Sequence, residues 1–154
     1  MRKLGVIGFL LATIVLTTPA FTQEKKINRS DLPPAVQKSV ASMSQAATVR
    51  GFSHEIEKGQ TFYEAQLTVK GHSKHVLMDA NGGVVEVEEQ VDMASLPGAV
   101  KDALQAKAGR GKLVKVESIT KHDKVVAYEA QVVTKGKRSE VQVGPDGRTL
   151  DHEE

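Results

Sequence analysis

The residues of this sequence that could support chemistry are histidines, acids and short glycine motifs. His72 and His75 form the closest histidine pair, and imidazole is a common metal ligand. A spacing of three places the two rings on opposite faces of a regular strand, which argues against a shared metal ion. The remaining histidines are scattered along the chain, at His54, His122 and His152. We therefore predict solvated surface histidines and no metal site.

A second candidate metal motif is the segment Asp79-x-Asn81-Gly82, which matches the beginning of an EF-hand calcium loop. Such a loop needs a glutamate at its twelfth position, and that position is Gln90 in this chain. Asn-Gly between two alternating apolar segments is typical of a β-hairpin turn. The motif therefore predicts a turn and no calcium site.

The sequence also shows no arrangement of a catalytic nucleophile or of an acid–base pair. Tyr63-Glu64 and Tyr128-Glu129 are adjacent residues, which point to opposite faces of a strand and cannot form a local dyad. The chain has no cysteine and no Gly-x-Ser-x-Gly motif. Residues 109–112 (Gly-Arg-Gly-Lys) follow a predicted helix, whereas a phosphate-binding loop opens one. We predict a protein that is not an enzyme and needs no cofactor.

The N-terminus has the three-part pattern of a secretory signal peptide, assigned to residues 1–22. Arg2 and Lys3 precede an apolar run at residues 4–16, which is shorter than the ~20 residues that cross a bilayer as a helix. We expect cleavage after Ala20, with cleavage after Thr22 or an uncleaved anchor as alternatives. The expected product is periplasmic or secreted, free of the membrane, and without disulfides.

Charge argues against a nucleic-acid partner. The chain carries 21 basic and 19 acidic side chains, and loss of Arg2 and Lys3 with the signal peptide leaves 19 of each. A neutral chain lacks the basic surface that nucleic-acid binding requires. The acidic residues 151–154 (Asp-His-Glu-Glu) are predicted to be a frayed end.

The second half of the chain repeats the first. Residues 32–36 (Leu-Pro-Pro-Ala-Val) return as residues 96–100 (Leu-Pro-Gly-Ala-Val), a shift of 64. Residues 63–66 (Tyr-Glu-Ala-Gln) return as residues 128–131, and Asn81-Gly82 returns as Asp146-Gly147, both at a shift of 65. We therefore predict two repeats, at residues 23–90 and 91–154. Whether they share one continuous sheet is left open by the sequence.

Each repeat is predicted to be a helix followed by antiparallel strands. The helices open at Leu-Pro with apolar residues at helical spacing, and Ser30, Asp31 and Ser95 are their predicted caps. Alternating segments joined by short Gly-containing turns predict the strands. The expected fold class is α+β, with two tandem helix-plus-antiparallel-sheet repeats (α-β-β-β(-β) each) and the helices packed on one sheet face. The strands are expected at residues 52–57, 61–69, 75–78, 84–88, 113–121, 125–133, 139–143 and near Thr149.

These motifs resemble the PepSY-like repeat, which belongs with the β-lactamase-inhibitor-protein-like (BLIP-like) fold. The resemblance implies an exported bacterial protein without catalytic activity, because PepSY domains occur in propeptides of secreted peptidases and are thought to restrain them. The inhibitor protein itself has an aromatic-rich sheet face and disulfides, whereas this chain has no Trp and no Cys. The matching residues are Leu32, Pro33, Ala35, Val36, Tyr63, Glu64, Asn81 and Gly82, and again Leu96, Pro97, Ala99, Val100, Tyr128, Glu129, Asp146 and Gly147.

The candidate binding surface is the sheet face turned away from the helices. Phe62 is the one large apolar side chain expected there, and its counterpart in the second repeat is Ala127. We expect this face to bind an unidentified protein or peptide, in a monomeric chain that inhibits or modulates an extracytoplasmic enzyme such as a peptidase. The alternative function is a periplasmic sensor or binding protein for a small ligand or metal ion, using His72 and His75. The candidate binding residues are Phe62, Glu64, Gln66, Glu129, Gln131 and Val133.

Overall fold

A computed structural model describes residues 24–152 and residue 154, and its strands form one antiparallel sheet. The eight strands of this sheet follow one another in chain order, so each is hydrogen-bonded to its neighbours in sequence. The predicted signal peptide lies outside the described residues. The strands are β1 (Lys25–Ile27), β2 (Thr48–Glu57), β3 (Gln60–Val69), β4 (His72–Met78), β5 (Val84–Gln90), β6 (Lys112–Lys121), β7 (Lys124–Thr134) and β8 (Lys137–Val143).

The predicted fold class of two tandem helix-plus-sheet repeats is wrong, because the sheet runs unbroken through both halves of the chain. β5 pairs with β6 from Val87–Thr120 to Gln90–Glu117. About 65 residues alone would bury a marginal core, and an unpaired β5 would leave backbone N–H and C=O groups exposed at an edge. The pairing of β5 with β6 joins the two halves into one larger core and gives the edge of β5 hydrogen-bond partners. The predicted strand near Thr149 does not form, since Gly144 N–H donates to Arg148 O and closes a turn there.

Two helices lie on the same face of this sheet, α1 (Pro34–Met43) against its first half and α2 (Gly98–Ala108) against its second. The predicted caps are wrong: the N-cap residues are Pro33 and Pro97, and Ser30, Asp31 and Ser95 belong to preceding 3-10 turns. A residue before proline is disfavoured in the helical region, so each Leu-Pro step stays extended and the helix begins only after it. Gly109, at a φ of 58°, ends α2 as predicted.

Most of the core consists of two clusters on the helix side of the sheet. Each cluster joins the apolar stripe of one helix to inward-facing strand residues, and burial of one such side chain contributes roughly 1.5–3 kcal/mol. Tyr63 and Tyr128 pack against the two clusters at corresponding places, opposite Met78 and Val143 in the strand register. The first cluster is Leu32, Val36, Val40, Phe52, Ala65, Leu67, Val76 and Met78; the second is Leu96, Val100, Leu104, Val116, Ala130 and Val143.

The Asx-Gly turns dock on the first turns of the helices. Gly82 has a φ of +78°, and a Cβ there would lie 2.7 Å from the carbonyl oxygen of Ala35. Gly147 has a φ of +82°, and its Cβ would lie 2.5 Å from the carbonyl oxygen of Ala99. Both positions therefore require glycine for conformation and for close approach. The Leu-Pro-x-Ala-Val and Asx-Gly motifs recur together in the sequence because they touch each other in the structure.

Candidate binding site on the open sheet face

The sheet face turned away from the helices, here called the open face, carries the candidate binding residues. On β3, Ala65 and Leu67 lie in the core, whereas Glu64 and Gln66 alternate with them and face the other way. This alternation is the one predicted from the sequence. Phe62 lies on the same side as Glu64 because it is two residues away along the strand.

A small cavity in the first half of the open face, here called the acidic pocket, has a volume of about 140 Å³. The strand register builds it, because Glu64 lies opposite Leu77 and Leu77 lies opposite Glu86 on three successive strands. His75 lies opposite Glu88 in the next row of the same face. The lining residues are Glu55, Glu64, His75, Leu77, Glu86 and Glu88.

The acidic pocket holds more carboxylates than cations. His75 Nδ1 lies 3.4 Å from Glu64 Oε1 and 3.9 Å from Glu88 Oε2. Burial raises the pKa of Glu88 to about 8, and the charges of Glu86, Glu117, Glu129 and Glu64 contribute to the rise. Burial also raises the pKa of Glu64, although the hydrogen bond from the Gln66 side chain and the nearby His75 work in the opposite direction.

A larger cavity of about 600 Å³, here called the cleft, adjoins the acidic pocket and shares Leu77 and Glu86 with it. It lies at the end of the sheet where the β2–β3, β4–β5 and β6–β7 turns come together. Phe62, Leu77 and Val85 supply its apolar surface. The pocket and the cleft therefore form one continuous depression, acidic in the pocket and mixed in the cleft, where apolar side chains lie beside Glu57, Asp79 and Lys121.

Two carboxylates in the second half of the open face, Glu117 and Glu129, have close partners. Lys115 Nζ forms an ion pair with Glu117 Oε1 at 2.6 Å, and Gln142 Nε2 donates to Glu129 Oε2 at 2.8 Å. Ala127, the counterpart of Phe62, is completely buried. This half therefore presents a closed, paired surface where the first half presents a depression.

The C-terminal end of the chain folds onto the open face. Glu154 Oε2 lies 3.0 Å from Lys121 Nζ, and the Glu154 backbone N–H donates to Gln142 Oε1. Lys121 also lies 3.2 Å from Glu86. Burial alone would lower the pKa of Lys121, but the hydrogen bond to Glu154 and the charge of Glu86 outweigh it and raise that pKa. The predicted frayed end is therefore wrong for Glu154, because a half-buried lysine holds it.

The structure brings only some of the predicted site residues together. Phe62 lines the cleft, Glu64 lines the acidic pocket, and Gln66 lies opposite His75 in the strand register and donates to Glu24 Oε1 at 3.5 Å. Gln131 and Val133 lie farther away on β7, where their register partners on β8 are Glu140 and Arg138. Glu129, also on β7, influences the pocket through its charge on Glu88.

Sequence reasoning missed Glu86 and Glu88, which form the opposite wall of the acidic pocket. The signal was present, since Glu86-x-Glu88-x-Gln90 places three polar side chains on one face of a strand. Its meaning depended on the register of β5 with β4, which sets Glu86 opposite Leu77 and Glu88 opposite His75 and which the predicted Asn81-Gly82 turn did not by itself specify.

The histidines do not form a metal centre in the described part of the chain. His72 and His75 lie on opposite faces, as predicted, and the nearest acid to His72 is Asp92, at 3.9 Å. Across residues 24–152 and residue 154, no group of three or more His, Asp or Glu side chains is arranged to hold a metal ion. Asp79 Oδ1 accepts the backbone N–H groups of Asn81 and Gly83, which confirms the predicted turn.

Membrane-spanning helices are absent from the residues that the structure describes, since no helix there has the length and apolarity to cross a bilayer.

Comparison with known proteins gives structural neighbours but no sequence family. No protein-family model matches the chain, and no curated protein matches its sequence. A Bacteroides eggerthii protein with a provisional periplasmic assignment superposes with a TM-score of 0.62 at 20% identity, over 77% of this chain and 86% of that one. A DUF2874 family protein of Bacteroides ovatus gives 0.59 at 20% identity, over 79% and 86% of the two chains.

A third neighbour is a BLIP-like protein of Bacteroides fragilis, with a TM-score of 0.56 at 22% identity over 77% of this chain and 83% of that one. Identities this low establish a shared fold and nothing finer. The BLIP-like part of the resemblance is therefore supported at the level of fold, and none of these three neighbours carries the PepSY name.

Proposed function

We propose that this chain is an exported, non-catalytic protein that binds another protein or peptide through the first half of its open face. The observation that supports this function is the continuous depression formed by the acidic pocket and the cleft, with Phe62 and Leu77 beside the carboxylates of Glu64 and Glu86. Aromatic and apolar anchors next to charged groups are typical of interface hot spots.

Two observations support export. The N-terminal residues have the pattern of a signal peptide, and structural neighbours include a protein assigned provisionally to the periplasm. We propose a periplasmic or secreted location.

A non-catalytic role fits the chemistry of the acidic pocket. A carboxyl group with a raised pKa is also found among catalytic acids, so Glu88 deserves a direct test. The pocket lining contains no serine, threonine or lysine that Glu64, Glu88 or His75 could activate as a nucleophile. We expect no turnover of peptide or ester substrates through a side-chain nucleophile, and turnover abolished by Glu88→Gln would contradict this assignment.

Inhibition or modulation of an extracytoplasmic peptidase is the specific form of the function that we propose. The PepSY-like motifs support it, because the resemblance implies restraint of secreted peptidases, and one structural neighbour is a BLIP-like protein. A β-lactamase target is not proposed, since this chain has no Trp and only a single Phe on its predicted binding face.

The decisive experiment is capture of a partner from the native periplasmic or secreted fraction by crosslinking and pull-down. Phe62→Ala, Glu64→Gln and Glu88→Gln together should abolish capture while leaving the circular dichroism spectrum unchanged, because all three side chains line the depression. Val114→Ala and Glu140→Gln provide matched controls, because both side chains are exposed and lie outside the depression. Undiminished capture by the triple variant would contradict binding through this face.

A sensor of a small ligand or metal ion remains the second candidate function, favoured by the position of His75 between Glu64 and Glu88. Calorimetric titration with zinc, copper and calcium distinguishes it from the first. Stoichiometric binding that disappears in His75→Ala would support the sensor and displace the protein-binding proposal.

A further inference from the structure

The depression on the open face has a chemistry that selects one kind of partner. We infer that it accepts a peptide segment in which a lysine or arginine lies within two residues of a bulky apolar side chain. This inference rests on the proposed binding function and adds the chemical class of the partner.

The basic side chain follows from the charge of the acidic pocket. Four of its six lining residues are glutamates, namely Glu55, Glu64, Glu86 and Glu88, and His75 is the one basic residue among them. Lys121 reaches Glu86 from outside the pocket and is shared with Glu154. An incoming ammonium or guanidinium group would relieve repulsion among these partly buried carboxylates and form charge-assisted hydrogen bonds, which are the strong ones in proteins.

The length of lysine and arginine also suits the pocket. Leu77 forms part of the lining of both cavities, so an alkyl stem can pack along it while the charged end reaches Glu64 and Glu88. A volume of about 140 Å³ admits one such chain end and excludes a folded element.

The neighbouring apolar side chain follows from the cleft. Phe62 and Val85 line the wider cavity, which adjoins the pocket at Leu77 and Glu86. Alternate side chains of an extended peptide lie roughly 6.5–7 Å apart on one side, so a basic residue and an apolar residue can enter the two cavities together.

Other occupants fit this surface less well. An acidic partner or the same face of a second copy would bring carboxylates against carboxylates. A bare metal ion would need a preformed ligand set, and the described residues contain none. A small free diamine shares the cationic chemistry but would leave the cleft empty, so the experiment includes one.

The test is selection of a phage-displayed random dodecapeptide library on the immobilised chain at pH 8.5 and low salt. We expect the selected peptides to be enriched in Lys or Arg within two residues of Phe, Leu, Ile or Trp. The same enrichment should appear on Glu140→Gln, whose acid lies on β8 outside the depression, and should be lost on the double variant Glu64→Gln, Glu88→Gln.

Calorimetry of the tightest-binding selected peptide then measures the contribution of its basic side chain separately from that of the rest of the peptide. Replacing its basic residue by norleucine should weaken binding about tenfold, since a hydrogen bond to a charged group contributes roughly 1.5–3 kcal/mol and 1.4 kcal/mol is a factor of ten. Cadaverine should compete at least tenfold more weakly than the peptide.

The outcomes separate this inference from the proposed function. Selected peptides that lose affinity on Phe62→Ala but show no basic enrichment would overturn the inference and leave open-face binding intact. Peptides insensitive to Phe62→Ala and to the double variant would contradict both. Equal competition by cadaverine, or no enriched peptide at all, would overturn the inference, while the pull-down would still decide the function.

Discussion

The two halves of the sheet are alike on the side of the helices and different on the open face. Tyr63 and Tyr128 occupy corresponding positions beside the two core clusters, and Gly82 and Gly147 dock on corresponding helix turns. On the open face, however, the first half has a depression with four glutamates, whereas the second half has paired acids and a completely buried Ala127.

This contrast separates residues that build the fold from residues that we propose to bind a partner. The positions that recur in the sequence are extended Leu-Pro steps, core tyrosines and glycine turns, all of which the backbone and the core require. The positions that differ are Phe62 against Ala127 and His75 against Glu140, and both differences fall on the open face. The proposed binding residues therefore fall where the two halves differ.

The largest expected effect tests the similarity of the two halves. Gly82→Ala and Gly147→Ala should each lower the free energy of unfolding by about 3 kcal/mol, because an alanine would combine a positive φ with a clash against a helix carbonyl. Urea denaturation followed by circular dichroism measures the loss. Both variants should unfold in one transition, since the sheet is continuous.

Gly98→Ala is the control for this pair, because a Cβ at Gly98 would meet no atom within 4 Å and its φ is not in the left-handed region. It should leave stability unchanged or raise it slightly. Two separate transitions, or a loss confined to one of the two glycine variants, would show that the halves are not equivalent in the way the docking contacts indicate.

The next prediction concerns the position at which the two halves of the open face differ, Phe62 in the first half and Ala127 in the second. Ala127→Phe should destabilise the protein by about 2 kcal/mol, because Ala127 is completely buried and a phenyl ring would overpack its surroundings. Phe62→Ala should cost less, since Phe62 lines an open cleft and is only partly buried. Thermal unfolding of both variants tests the comparison, and a larger loss at Phe62 would assign that ring to the core.

A smaller effect concerns the protonation of the acidic pocket. The pKa of Glu88 rises from 4.5 to about 8 on folding, so the folded chain holds a proton that the unfolded chain releases in this range. Glu88 therefore costs no stability below pH 4.5 and an increasing amount as pH rises, up to a plateau above pH 8. The groups around it are Glu64 on β3, His75 on β4, Glu86 on β5, Glu117 on β6 and Glu129 on β7.

Glu88→Gln should consequently remove this pH dependence. At pH 9 the variant should be more stable than the parent chain by on the order of 2 kcal/mol, after allowance for residual solvent exposure, and at pH 4 the two should be equal. Urea denaturation at pH 4, 6, 7.5 and 9 measures the difference. Equal stability of both chains at every pH would show that Glu88 is solvated and ionises normally.

Local patterns in the sequence predicted the strands and turns but not how the halves join. The alternation around Tyr63 and Glu64 correctly indicated a strand with one buried face, and Asn81-Gly82 correctly indicated a hairpin turn. The pairing of β5 with β6 could not be predicted, because Gln90 and Glu117 are far apart in sequence and carry no complementary signal. The acidic pocket is lined by β2 to β5, and its far wall depends on the register of β4 with β5, which shifts after Leu77 and which the hairpin turn alone does not specify, so only its β3 wall was found.

The smallest expected effect concerns the ion pair between Lys121 and Glu154, which holds the C-terminal residue against the open face. Glu154→Gln should weaken the ion pair with Lys121 and lower the free energy of unfolding by about 0.5 kcal/mol, because both side chains are only partly buried. Glu57→Gln, which removes an exposed pair with Lys58, should have no measurable effect on stability.

The more informative readout of Glu154→Gln is exposure of the surface that the C-terminal end contacts. Lys121 should react faster with an amine-acylating reagent, as mass spectrometry of the labelled peptide can show, because Glu154 no longer holds its ammonium group. Binding of a selected basic peptide should stay within twofold of the parent value, since Glu64 and Glu88 are unchanged. A large gain in peptide affinity would instead mean that Glu154, through Lys121, competes for the depression, and the two halves of the open face would then act as one site.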